Sequence, residues 1–219
     1  MEYVKGINLV HYINKANKDK LSDIAQQLSS IVLLMKSRQT EDRIDDFSSK
    51  TREKLKNIYS SMVLKKLDPE HLKMLKVLET LSNDLEECNN LTTTLCHGDL
   101  TMDNIIYDER NSICYLIDFL DNYIEHYWFD IVKLFQDIEG MWYSFRNPDI
   151  DLNNILPKME FMKNQLDEDL VEKEEFYKEY RYLFLAINFA RILPYANPES
   201  IDYLTSTINK FLIKHKEKI

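Results

Sequence analysis

Cys96-His97-Gly98-Asp99-Leu100-Thr101-Met102-Asp103-Asn104, then Ile105-Ile106-Tyr107, and further on Leu116-Ile117-Asp118-Phe119, is the stretch that decides the fold. Thr92 to Cys96 is β-branched and apolar, as a strand is. Asn104–Tyr107 and Ile113–Ile117 are two more such runs, separated by turn residues at 108–112. The spacing predicts a compact, hairpin-like β island. Asp99 falls in the loop after its first strand, beside Gly98; Asn104 closes that loop and Asp118 ends the last strand.

Antiparallel neighbours joined by a turn would bring Asn104 and Asp118 together at one end of the hairpin. Amide and carboxylate oxygens suit a hard cation such as Mg²⁺, which takes oxygen ligands and keeps waters and phosphate oxygens as well. Asp99 would stand beside that cation, able to accept a proton from an incoming hydroxyl. Positioning, charge neutralisation and a base are what phosphoryl transfer needs.

Outward from the island the chain reads as helix. Leu9–Ala16 and Leu21–Ser37 precede it, the second with Ile24, Leu28, Ile31, Val32 and Met35 on one face. Glu41–Val63 and Glu70–Cys88 follow, the latter announced by Asp68-Pro69 as N-cap and first helical residue. Beyond the island, helices resume near Trp128 and continue over Ile155–Leu170, Lys173–Leu193 and Pro198–His215. Met1–Val4 suits a short strand that Gly6 breaks. The expected class is α+β, mainly α, in a single domain spanning 1–219.

Composition narrows the functions. Apolar residues at 44% and charged residues at 30% fit a folded chain. The longest apolar run, Tyr182–Ile187, falls far short of the roughly 20 residues that span a bilayer. A formal charge of −9 argues against nucleic-acid or anionic-membrane binding. The 3 glycines, Gly6, Gly98 and Gly140, stand too far apart to spell GxGxxG or GxxxxGK[ST]. Cys88, Cys96 and Cys114 show no CxxC spacing, and the N-terminus has no basic-then-apolar leader, so reduced thiols and a cytoplasmic location are expected.

HGDLTMDN followed by LIDF resembles the catalytic loop and metal motif of the aminoglycoside phosphotransferase and choline kinase superfamily, itself similar to protein kinases. The resemblance implies a protein kinase-like C-terminal lobe that uses ATP and Mg²⁺ on a small-molecule hydroxyl. It implies Asp99 as catalytic base, Asn104 and Asp118 as Mg²⁺ ligands, and His97 as a brace for the loop. Asp130, in WFDIVKL, resembles the family's helix-start aspartate that holds the loop, and Ile106 and Ile117 match the floor beneath adenine. MEYVKGINL resembles the family's hinge, where Glu2 to Val4 would meet the adenine edge. The resemblance then divides the chain into a residual hinge (1–6), a helical part (7–90), the catalytic hairpin (91–119) and closing helices (120–219). It leaves the N-terminal lobe largely absent from this chain, to be supplied upstream or by a partner chain, and implies weak ATP binding and slow turnover without it.

Tyr123–Phe145 is rich in rings and acids. One reading is a pocket for a cationic substrate such as choline or an amino sugar, with cation–π contacts from Tyr123, Tyr127, Trp128, Trp142, Tyr143 and Phe145 and carboxylate contacts from Asp121, Glu125, Asp137 and Glu139. The other is a helix core of Trp128, Ile131, Phe135 and Ile138 with solvated acids, Asp137 and Glu139 among them. Asp103 is expected to face solvent. A kinase acting on an aminoglycoside, choline or sugar competes with a non-catalytic, kinase-like binding or regulatory protein. A metal-dependent phosphohydrolase ranks below both, since no DxH or NH[DE] partner motif accompanies Asp99 and Asp103.

Overall fold

A computed structural model describes residues 5–44, 46–89 and 91–218. Glu2 and Val4, expected to meet adenine, lie outside the described residues. In chain order the elements begin with β1 (Ile7–Asn8), α1 (Leu9–Lys15), α2 (Lys18–Ser37), β2 (Gln39–Arg43), α3 (Phe47–Leu64), α4 (Pro69–Leu81) and β3 (Thr92–Thr94). Then come β4 (Ile105–Asp108), β5 (Ile113–Leu116), α5 (Trp128–Ile138), α6 (Tyr143–Arg146), α7 (Leu152–Leu166), α8 (Glu175–Ala190) and α9 (Pro198–Lys216). The fold is mainly helical with small antiparallel sheets, and it divides into two compact units.

The first unit comprises residues 1–39 and 94–175. Its sheet has the order β1-β4-β5, with Ile106 opposite Tyr115 and Tyr107 opposite Cys114. Side chains alternate across a strand, so one face carries Ile105, Tyr107 and Cys114, all buried. Tyr107 packs on Tyr12 of α1 with ring centroids 4.3 Å apart. The other face carries Ile106 and Tyr115, both half-buried. Helix α2 starts where Asn17 accepts the Lys20 N–H at 3.0 Å, and buries Leu21, Ile24, Leu28, Val32 and Met35. It packs against α7, which also touches α1 and α5. Each such fully buried aliphatic side chain contributes about 1.5–3 kcal/mol relative to exposure.

The second unit comprises residues 40–93 and 176–219. Asp68 caps α4 through the Glu70 N–H at 2.8 Å, with Pro69 at the first helical position as the sequence predicts. Asn197 and Pro198 start α9 in the same way. The core is aromatic: Phe184 takes Phe47 edge-on and Tyr177 in a stack, and Phe189 packs on Phe211.

Two expectations are corrected. Residues 39–43, read in part as the start of a helix at Glu41, form strand β2, and the helix begins at Phe47. All five side chains of β2 are exposed, so no apolar stripe rewards coiling there, and the segment pairs with β3 instead. β3 is likewise not part of the hairpin that carries Asn104 and Ile117: β2 is its partner, in a separate sheet.

Candidate active site

The loop after β3 is pinned from several sides within the first unit. The His97 carbonyl accepts the Leu120 N–H at 2.9 Å. Gly98 has φ +82°, and a Cβ there would stand 1.8 Å from the Leu120 carbonyl oxygen. Only glycine tolerates both the left-handed backbone and the crossing chain. His97 is fully buried: its Nε2–H donates to the Ile117 carbonyl at 2.8 Å, and its Nδ1 accepts the Asp99 N–H at 3.3 Å. Burial pushes its pKa down, consistent with a neutral ring serving as donor on one side and acceptor on the other. The Phe119 ring covers it at 4.3 Å.

Asn104 ends this loop on a short 3₁₀ turn, Met102–Asn104. Its Nδ2 donates to the Asp99 carbonyl at 2.8 Å and to Asp99 Oδ2 at 2.9 Å. Both acceptors are oxygens without protons to give, so the amide nitrogen must face Asp99 and Oδ1 faces away from it. The Asn104 carbonyl accepts the Ile117 N–H at 3.0 Å, which sets Asp118 beside it in the chain. Asp118 is exposed and sits at φ +58°, a left-handed turn out of β5. Asp99, Asn104 and Asp118 are thus gathered at one end of the β4–β5 hairpin. Among the described residues no cluster of three or more His, Cys, Asp or Glu side chains could hold a metal. An amide oxygen with a carboxylate suits instead a magnesium ion that keeps waters and phosphate oxygens. Ile117 stands opposite Asn104 across the strands, so Ile106, Tyr115 and Ile117 form a half-buried apolar strip next to Asn104.

Helix α5 supports the loop with one face. Asp130, fully buried, accepts the His97 N–H at 2.7 Å and the Gly98 N–H at 3.0 Å. Lys133 Nζ lies 2.9 Å from Asp99 Oδ1. Asp137 accepts the Met102 N–H at 2.8 Å. Burial raises the Asp130 carboxyl to about 6 and the Asp137 carboxyl to about 7, although the backbone donors pull the other way. Burial, aided by Asp130, Glu125 and Asp121, pushes the Cys96 thiol up to about 12, away from the reactive thiolate.

Asp130, to which the resemblance gives the role of holding the loop, accepts from two of the loop's backbone N–H groups. Trp128, Ile131, Phe135 and Ile138 are buried, as the core reading has it, but Asp137 and Glu139 are buried too, contrary to their expected solvation. Trp142 is half-buried and stacks on the exposed Phe145. Asp103 is corrected as well: its side chain is 13% exposed, paired with Arg146 at 3.1 Å and accepting from Asn8 at 3.2 Å. Sequence reasoning missed the contacts that Lys133 and Asp137 make with the loop, and did not single out Tyr115. The first two carried a signal, charges seven residues and less apart on one face of an otherwise apolar helix.

The profile of the phosphotransferase enzyme family (APH) matches residues 1–156. The chain belongs to this phosphotransferase family. The matched span holds the whole of the loop, the hairpin and α5. Among solved structures, this phosphotransferase-family chain is similar to glucosamine kinase in one crystal form at TM-score 0.65 and 13% identity, covering 96% of this chain and 60% of that one. A complex of glucosamine kinase with glucosamine, ADP and inorganic phosphate gives TM-score 0.63 at 13% identity, covering 97% and 58%. A second crystal form gives 0.60 at 16% identity, covering 97% and 57%. The chain thus spans about three-fifths of the length of these structures. No curated protein matches it. No helix among the described residues is long and apolar enough to cross a membrane.

Proposed function

We propose that this chain carries the catalytic and metal-holding half of a small-molecule kinase, moving the γ-phosphoryl group of ATP to a hydroxyl. The observation that carries the reading is the direct contact of Asn104 with the Asp99 carboxylate, with Asp118 placed next to it by the Ile117–Asn104 backbone bond. Asp99 takes the proton of the attacking hydroxyl while His97 and Asp130 keep the loop beneath it. Ile106, Tyr115 and Ile117 offer their apolar strip to the adenine face. Asn104 Oδ1 and the Asp118 carboxylate would hold a magnesium ion, whose charge offsets that of the phosphates. A sugar or amino-sugar acceptor is supported by the similar structure bound to glucosamine and ADP; aminoglycosides and choline are the other members of the class. We place the activity in the cytoplasm, in keeping with the reduced thiols.

The test is transfer of labelled γ-phosphate from magnesium ATP to a panel of glucosamine, glucose, aminoglycosides and choline. The expected result is product with one acceptor class, lost in Asp99→Asn without loss of folding. Nucleotide binding without transfer to any acceptor would favour the non-catalytic binding protein. Full turnover by Asp99→Asn would remove Asp99 from the role of base.

A further inference from the structure

One face of α5 meets the catalytic loop in register: Asp130 holds the backbone of 97 and 98, Lys133 meets the side chain of Asp99, and Asp137 holds the backbone of Met102. Positions i, i+3 and i+7 of a helix share a face, so one rigid element presents all three groups. Within it, Lys133 alone reaches the carboxylate rather than the backbone. The loop itself, His97 to Asn104, has no Lys or Arg. The side chains of Lys133 and Asp99 are 13% and 27% exposed, so their charges are poorly screened and a charge-assisted bond between them holds better than a surface pair.

We propose that Lys133 is a positioning residue for Asp99. Its ammonium takes Oδ1 at 2.9 Å while the Asn104 amide takes Oδ2 at 2.9 Å. Two donors from separate elements, one on each oxygen, fix the plane of the carboxylate. Each carboxylate oxygen keeps a second lone pair, so a substrate hydroxyl can still be received. Lys133 retains its protons throughout; the hydroxyl proton goes to Asp99 as its oxygen bonds the γ-phosphorus and ADP leaves with the electron pair of the broken P–O bond. Lys133 therefore acts through Asp99, and this inference rests on the phosphotransferase reading of that residue.

The test has a structural and a kinetic arm, each with Lys133→Met and Lys133→Arg beside the wild type. Crystal structures should show the Asp99 carboxylate in the same rotamer in wild type and Lys133→Arg, and turned away from Asn104 in Lys133→Met. Magnesium ATP turnover should fall about 10- to 100-fold in kcat for Lys133→Met, the scale of a misplaced catalytic group, with both KM values held and Lys133→Arg recovering most of the rate. An unmoved Asp99 in Lys133→Met, or an unchanged kcat, overturns the proposal. A Lys133→Met chain that does not fold leaves the decision to Lys133→Arg, whose Asp99 must keep its rotamer. A wild type without transfer to any acceptor counts against the proposed function, and the crystallographic arm still decides the role of Lys133.

Discussion

The Asn8 amide spans 95 residues of sequence to donate to Asp103, reaching both its backbone carbonyl and its Oδ1 at 3.2 Å. The same side chain uses its oxygen to cap α1, accepting the Val10 N–H at 3.0 Å. One amide thus ties the start of the first helix to the turn that ends in Asn104. Asn8→Ala removes both bonds and should cost about 1–3 kcal/mol in chemical denaturation. Asn8→Asp keeps the cap but sets a carboxylate against Asp103, so it should be destabilised as well. Equal stability of Asn8→Asp and wild type would show that the bond to Asp103 contributes nothing.

Gly98→Ala should be far more damaging than an ordinary glycine substitution. The new Cβ would collide with the backbone of Leu120 rather than with a side chain able to rotate away. Loss of about 3 kcal/mol or more is expected, from left-handed strain plus displaced chain. Urea denaturation measures it directly.

Asp137 gives a stability that depends on pH. Its folded pKa, about 7, lies above the ordinary carboxyl value of 3.8. Between these values the native state holds a proton that the unfolded chain has lost, so its contribution is full below about pH 4 and fades as pH rises through 7. Asp137→Asn keeps an acceptor for the Met102 N–H and cannot titrate. The stability of wild type relative to this variant should decline across that window, by at most on the order of 4 kcal/mol. A flat difference from pH 4 to 8 would contradict the burial argument.

His126 works in the opposite sense. Burial, with a smaller push from Lys36, drives its folded pKa down from 6.5 to about 3. Its contribution is present above about pH 6.5 and is lost as pH falls toward 3. His126→Asn, which offers the Trp128 N–H an oxygen in place of Nδ1, should lose less stability on acidification than wild type. Parallel acid titrations of the two would contradict this.

The site was legible where residue type and spacing alone define it. HGDxxxxN with a following IDF places Asp99, Asn104 and Asp118 at the end of one hairpin, because strand pairing follows from short β-branched runs about a turn. The helical regions were legible from their stripes and caps, as Asp68-Pro69 shows at α4. What escaped depends on tertiary partners. Asp103 looks like any loop carboxylate until Arg146 and Asn8 close over it, and Asp137 looks like a solvated helix acid until the Met102 N–H arrives. Thr92–Thr94 has strand character, but nothing local says that Gln39–Arg43, wholly exposed, is its partner.

The arrangement of Asn104 and Asp118 is tested most directly by paramagnetic broadening of backbone amide resonances on adding Mn²⁺ with ADP, in wild type and in Asp118→Asn. The account predicts broadening centred on the amides of Asn104, Ile105, Asp118 and Phe119 in wild type, and its loss in Asp118→Asn. Broadening centred elsewhere in the chain, or unchanged by Asp118→Asn, would contradict it.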